Sequence, residues 1–359
     1  MPEMNENLNP PLKIQARVLV TGGAGFLGAH LVRALSGLGH SVRVLDSAPI
    51  PEHASERVER VQGDVRDSEL VSRVAAGVDY IVHCVAVQPV SRSRRSVFKD
   101  VNVMGTRNVL EAARHHGVRR VVHVSSSAVY GLPRESPITE ATPFNPICDY
   151  GRSKVASERL CRRFRSLGQD VVILRPRVLL GQGRLGVYHL LFNWIADGKP
   201  VFFIGSGDRP FQALAVQDLV SACLLALFGD TPNQDFNLGA AEYQSFRGDV
   251  EGLLRHARSR KRIVPVPAVL AKTGLWALDV LDLSPLTAWH YLTADAASYF
   301  DCSKAEQLLG WKPAVSNIEM LCESYDWYVA NRRRVDPDVG TTHTKSLAQR
   351  AFRLMKVFA

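Results

Sequence analysis

The stretch Ala16 to Gly28, ARVLVTGGAGFLG, decides the fold: a β-branched run breaks into Gly22, Gly25 and Gly28 immediately before a helical pattern. Gly22 permits a tight turn off the strand, Gly25 lets the backbone approach a pyrophosphate, and Gly28 lets the helix pack on the sheet. The phosphates then sit at the helix N-terminus, beside Phe26 and Leu27. Glycine triplets also make ordinary turns, so the next strand carries weight. Ser41 to Asp46 ends in an acid eighteen residues after Gly28, about where a carboxylate takes the ribose hydroxyls. Asp46 thus favours NAD. No arginine directly follows it to welcome a 2′-phosphate, and Arg43 keeps NADP as the alternative.

Working outward, strand-like runs at 41–46, 58–62, 80–86, 118–125 and 170–175 alternate with helical patterns near 26–38, 67–76, 95–116 and 150–167. This βαβ rhythm demands right-handed crossovers and a parallel sheet covered on both faces, with the ligand at the strand C-termini. The fold class is therefore α/β, a doubly wound parallel sheet of the Rossmann kind with a smaller C-terminal substrate-binding subdomain. After Gly181 the rhythm loosens, with helices fitting 186–197 and 217–228 and short strands near 200–204 and 235–238. The expected layout is a loose leader at 1–13, the NAD-binding unit at 14–180 with a returning segment near 235–262, the substrate-binding subdomain mainly at 181–330, and a linker and tail at 331–359.

Composition narrows the classes. With 359 residues and 46% hydrophobic content the chain can bury a large core. Its six cysteines show no CxxC pair and no metal-ligand spacing, so reduced thiols in the cytoplasm and no metal are expected. The first eleven residues lack the basic and apolar regions of a signal peptide. No segment reaches the roughly 18 unbroken apolar residues of a membrane span. The net charge of +9 is scattered in small clusters without a recognition motif, which argues against a specific nucleic-acid partner.

Tyr150-Gly151-Arg152-Ser153-Lys154 places a phenol and an ammonium on one face of a helix. A nearby ammonium and a cationic nicotinamide ring stabilise phenolate, which makes Tyr150 a proton acceptor or donor at working pH. Lys154 would lower the Tyr150 pKa and bond the nicotinamide ribose. Upstream, Ser125-Ser126-Ser127 presents hydroxyls at the sheet's C-terminal edge, where one serine can hold a substrate oxygen.

Together these residues resemble the extended short-chain dehydrogenase/reductase family, over roughly residues 14 to 330. The likeness rests on TGGAGFLG (21–28), GDVRD (63–67), Asn102 in NVMGT, SSSAVYG (125–131), YGRSK (150–154), LRP (174–176) and SKAEQLLGWKP (303–313). It implies that Asp64 and Val65 flank adenine, that Val85 and Ala86 line the dinucleotide, and that Asn102 buttresses the active-site helix beside the cofactor. Pro176 joins the cofactor set. The family's catalytic hydroxyl falls on Ser126, with Ser125 and Ser127 as alternates. Sugar dehydratases and uronate decarboxylases of the family carry an acid just after that hydroxyl; here Ser127 and Ala128 stand there. Epimerisation or plain alcohol/ketone redox is left.

For the substrate, the family's diphosphate-holding arginine aligns with Phe211, two residues from Arg209, and its second clamp falls on YLTADA (291–296). Arg177, Arg184 and Arg209 could form a different phosphate pocket. The apolar stretch containing Trp276, Leu278, Val280 and Leu281 looks like the same region of hydroxysteroid dehydrogenases, either walling a lipid-like alcohol or packing the annex core. The expectation is a nucleotide-sugar epimerase, with a 3β-hydroxysteroid-like or other lipid-alcohol dehydrogenase as the alternative and a non-catalytic NAD-binding regulator as a remote third. The expected partners are a small-molecule substrate and a second copy in a homodimer. Residues 347–359, an amphipathic basic pattern, offer a peripheral membrane contact or a packing helix.

Overall fold

The structure is a computed structural model that describes residues 15–50, 56–88, 93–184, 186–281, 284 and 286–332. The leader 1–13 and the amphipathic tail 347–359 lie outside the described residues. The first half runs β1 (Arg17–Thr21), α1 (Phe26–Gly37), β2 (Ser41–Asp46), β3 (Val58–Gln62), α2 (Ser68–Ala75), β4 (Tyr80–His83), α3 (Arg95–Phe98), a π-helical turn (Lys99–Met104), α4 (Gly105–His115), β5 (Arg120–Val124), α5 (Asp149–Ser166) and β6 (Val171–Pro176). The expected helix at 95–116 is thus three pieces joined end to end.

The second half runs β7 (Val178–Leu180), α6 (Tyr188–Ala196), β8 (Val201–Ile204), β9 (Ala213–Ala215), α7 (Val216–Phe228), β10 (Asp235–Leu238), α8 (Phe246–His256), β11 (Ile263–Val266), α9 (Ala268–Val280), α10 (Ala288–Thr293), α11 (Ser303–Leu309) and α12 (Asn317–Asn331). Seven parallel strands form the central sheet in the order β3-β2-β1-β4-β5-β6-β10. The order reverses between β1 and β4, which opens a crevice at their C-terminal ends.

Parallel strands must be covered on both faces, and the side chains of β1 show it. Val18 and Val20 pack in one apolar cluster with Leu31 of α1 and Leu219 of α7, whereas Leu19 packs in another with Val109 and Leu110 of α4. The annex has its own core, with Phe192 of α6, Leu253 of α8 and Tyr328 of α12 in contact. Chain order and packing therefore part company in the second half. α7 and Trp311 pack on the sheet unit, while α8, inside the expected returning segment, belongs to the annex core.

One expectation fails outright. Trp276, Leu278, Val280 and Leu281 neither wall a pocket nor pack the annex core; they are 59%, 38%, 67% and 66% exposed. α9 rests on α10 and β8 with its charged side, where Lys272 donates to Asp295 Oδ1 at 2.5 Å, and turns its apolar side to solvent. A count of apolar residues cannot tell which helix face is turned inward.

Candidate active site

The glycine loop is built by close approach. Gly22 sits at φ +79°, and a Cβ there would come 3.0 Å from the Val85 backbone nitrogen. A Cβ on Gly28 would lie 2.0 Å from the Gly22 carbonyl oxygen, so no side chain fits. Gly25 precedes α1 without a side-chain cap, and the first turn carries no acid, so the positive end of the helix dipole, at Phe26 and Leu27, suits an anion. Asp46 accepts from the Ala24 and Ala48 backbone N–H groups, both at 2.9 Å, which fixes the carboxylate at the tip of β2 beside the loop. Arg43 is occupied by Glu59 and the Val74 and Ala76 carbonyls, so it does not supply a 2′-phosphate site. These features fit NAD. Asp64 holds the Arg66 guanidinium through bonds of 2.6–3.0 Å, and Val65 is buried against Gly105 at the start of α4.

Two segments are joined by one side chain. Asn102, in the π-helical turn, accepts from the Val87 N–H at 2.7 Å and donates to Ser153 Oγ at 2.9 Å. Ser157 donates to the Asn102 carbonyl at 2.6 Å. The loop carrying Val85 and Ala86 is thereby tied to α5. Ala86, Val87 and Trp289 of α10 pack with Tyr150, so the annex reaches over the phenol. Pro176 is buried at the end of β6, in register with Leu238 of β10.

α5 begins at Cys148, whose sulfur accepts from the Gly151 N–H. Gly151 is required there, because a Cβ would stand 2.5 Å from the Ala128 carbonyl oxygen. This brings Tyr150 against the turn Ser127–Val129, with the Ser126 hydroxyl near enough to the phenol to favour its ionised form. Burial pushes Tyr150 up to about 12, opposed by the Ser126 hydroxyl and the Arg184 charge. Ser127 itself is buried, with its carbonyl accepting from Tyr130 N–H.

Lys154 departs from the expectation. Its ammonium donates to the Val124 carbonyl at 2.8 Å, and burial pushes it down to about 8. Lys154 is 2% exposed on the sheet side of α5, so its stem runs down to β5 and not along the helix to the phenol. The cation acting on Tyr150 is Arg184, whose guanidinium lies 5.4 Å above the Phe26 ring at the head of α1.

A second group was not singled out from the sequence. Glu158 and Arg175, both wholly buried, pair twice, at 2.9 and 2.7 Å. Ser125 donates to Glu158 at 2.6 Å, and Arg175 donates to the Tyr130 hydroxyl at 2.8 Å. The pair fastens α5 to β6 and to the strand end that carries Ser126. An acid at i+4 from Lys154 on the sheet-facing side of α5 was the available signal.

Of the tentative substrate residues, Arg177 donates through Nε and Nη2 to the Gln212 and Ser298 carbonyls, at 3.1 and 2.8 Å, and lies over the Phe300 ring. It fastens the end of β6 to the annex. Arg209 is exposed and Phe211 half-buried; both line a cavity of about 220 Å³ with Ser206, Phe246 and Asp295. Phe211 stacks edge-on to Phe246.

Residues 18–239 match the NAD dependent epimerase/dehydratase family. The chain belongs to that family. Its cofactor is NAD, and it is an enzyme of the extended short-chain dehydrogenase/reductase type. It is 31% identical to a UDP-glucose 4-epimerase of Lactobacillus helveticus, over 87% of this chain and 97% of that one. It is also 30% identical to a 3 beta-hydroxysteroid dehydrogenase/Delta 5-->4-isomerase of Mycobacterium tuberculosis, over 88% and 90%. The crystal structure of a dTDP-glucose 4,6-dehydratase from Streptomyces venezuelae, solved with NAD bound, superposes with TM-score 0.71 at 30% identity, over 89% and 98%.

Proposed function

We propose that this enzyme is a nucleotide-sugar epimerase, in which Tyr150 and Ser126 handle the alcohol, the Gly22–Gly28 loop and Asp46 hold NAD, and Lys154 meets the nicotinamide ribose. The observation that carries it is the composition of the catalytic pocket. Ser127 and Ala128 stand directly after the Ser126 hydroxyl, where the family's sugar dehydratases carry an acid, so no carboxylate follows it. Dehydration needs a second acid and base beside the carbonyl; alcohol oxidation and its reversal need only one proton carrier. The similarity to a UDP-glucose 4-epimerase supports a sugar nucleotide as substrate.

Bound NAD supplies a reversible hydride acceptor. Tyr150 takes the hydroxyl proton as the carbon is oxidised and returns it when the ketone is reduced from the opposite face. Ser126, beside the phenol, holds the same oxygen and keeps it in line with the proton path. Arg184 stabilises the phenolate while it lasts, in a site where burial disfavours that charge. Asn102 keeps α5 and the dinucleotide loop at a fixed separation.

A lipid-like alcohol dehydrogenase is the second reading, favoured by Phe211 and Tyr291–Ala296 where the family's arginines are expected and by the hydroxysteroid-dehydrogenase relative. The experiment is the mass spectrum of what purified protein releases on denaturation, followed by incubation with UDP-glucose and with a 3β-hydroxysteroid. Co-purifying NAD and formation of UDP-galactose without net NADH are expected. NADH accumulating at 340 nm with the steroid and no sugar interconversion would sink the epimerase reading. The cytoplasm and a homodimer belong to the same proposal, and sedimentation of the purified chain checks the second.

A further inference from the structure

α9 is inside out. Of its thirteen residues none is buried. Its solvent side carries Val269 (76% exposed), Leu270 (67%), Trp276, Ala277, Val280 and Leu281 at helical spacing, interrupted by Thr273 and Gly274 but without one charge. Its two charged residues, Lys272 and Asp279, face the protein instead and are half-buried, Lys272 held by Asp295. A water-facing helix of a globular protein has the opposite arrangement, and exposed apolar area of this extent marks a contact surface. On the neighbouring β8–β11 ribbon Phe202 and Val264 are also exposed and stand in register.

Charge identifies what this surface meets. Arg258, Arg260, Lys261 and Arg262 are all exposed immediately before β11, and among the described residues none forms an ion pair. β11 spans about 13 Å before Pro267 turns the chain into α9. An apolar stripe with an indole on it, followed along the chain from a run of four unpaired cations, is the pattern of an element that lies in the headgroup region of an anionic bilayer. At thirteen residues α9 is too short to cross one, and no helix of the described residues is long and apolar enough to do so.

We propose that α9 docks this enzyme on anionic lipid, with Val269, Leu270, Trp276 and Val280 entering the interface and the 258–262 cations lying on the headgroups. Neither the sugar nor the lipid-alcohol reading is needed for this, and the test does not read activity. The full chain is floated with vesicles of phosphatidylcholine alone, and of phosphatidylcholine mixed with phosphatidylglycerol, at low and high salt. Flotation with the mixed vesicles, weakened by salt, and a blue shift of tryptophan emission are expected. Leu270→Ser/Trp276→Ser should reduce flotation about tenfold or more, and Arg260→Gln/Lys261→Gln/Arg262→Gln should remove the preference for anionic lipid. An unchanged circular dichroism spectrum and unchanged NAD content show that both variants are folded. The proposal is overturned if the wild-type chain stays with the unbound fraction. It is equally overturned if the serine variant floats as well as wild type, which would place binding in another segment such as the basic tail. A dimer that the serine variant dissociates, without vesicle binding, would assign α9 to a second copy of the chain.

Discussion

Lys154→Met should make the fold more stable while removing activity. Burial holds the Lys154 ammonium down to about 8 against an ordinary 10.5, and the side chain is 2% exposed. At about 1.4 kcal/mol per tenfold, keeping it charged in the folded state costs about 3 kcal/mol near neutral pH. Methionine fills a similar volume without that cost, but forfeits the bond to the Val124 carbonyl, worth about 1 kcal/mol. The net expectation is a variant about 2 kcal/mol more stable at pH near 6.5. The sign with pH follows from proton counting. Because the folded pKa lies below the unfolded one, the unfolded chain binds the extra proton between them, and wild-type stability rises from about pH 8 to above pH 10. The advantage of methionine should therefore be gone by about pH 10. Urea unfolding of the NAD-stripped proteins at both pH values measures it. A variant less stable than wild type at the lower pH, or a gap equal at both, would refute the account of Lys154 as a charge held against its environment.

Tyr150→Phe should lower turnover at least about a hundredfold and leave the amount of co-purifying NAD unchanged, as read by absorbance of the denatured supernatant. Gly28→Ala forces a methyl to 2.0 Å from the Gly22 carbonyl; a loss of about 3 kcal/mol in stability and NAD-free protein are expected, checked by unfolding and by mass spectrometry. Arg175→Met leaves wholly buried Glu158 without its main partner and should cost about 4 kcal/mol in urea unfolding. Adding Glu158→Leu to that variant should recover part of the loss.

The sheet was legible because its cause is local. Val18, Leu19 and Val20 are each buried, so a strand covered on both faces shows in the sequence as an unbroken apolar run, and glycines mark the turns that no side chain could make. Tyr150 and Lys154 were legible for the same reason, since helical spacing alone puts both on one side of α5. What each would touch was not. Whether Lys154 reaches the phenol or the end of β5 depends on the height of α5 above the sheet, which Gly151 and the Ser127–Val129 turn set from outside the motif. Arg184 lies 34 residues from Tyr150 in the chain, so nothing local connects them. α9 misled for a further reason. Its composition is that of a core helix, and only the neighbours it packs on decide which side faces water.

The Asn102 bonds to Val87 and Ser153 have a consequence for how such an enzyme can change. A single amide satisfies both segments only at one spacing, so the loop of Val85–Val87 and the helix carrying the phenol behave as one mechanical part. Replacing either segment alone would leave the amide with a broken bond in a buried place. The annex meets that part through Trp289 and is held to the end of β6 by the Arg177 bonds to Gln212 and Ser298, both outside the amide link. New alcohols can therefore be tried by rebuilding the annex while the proton and hydride geometry is inherited intact.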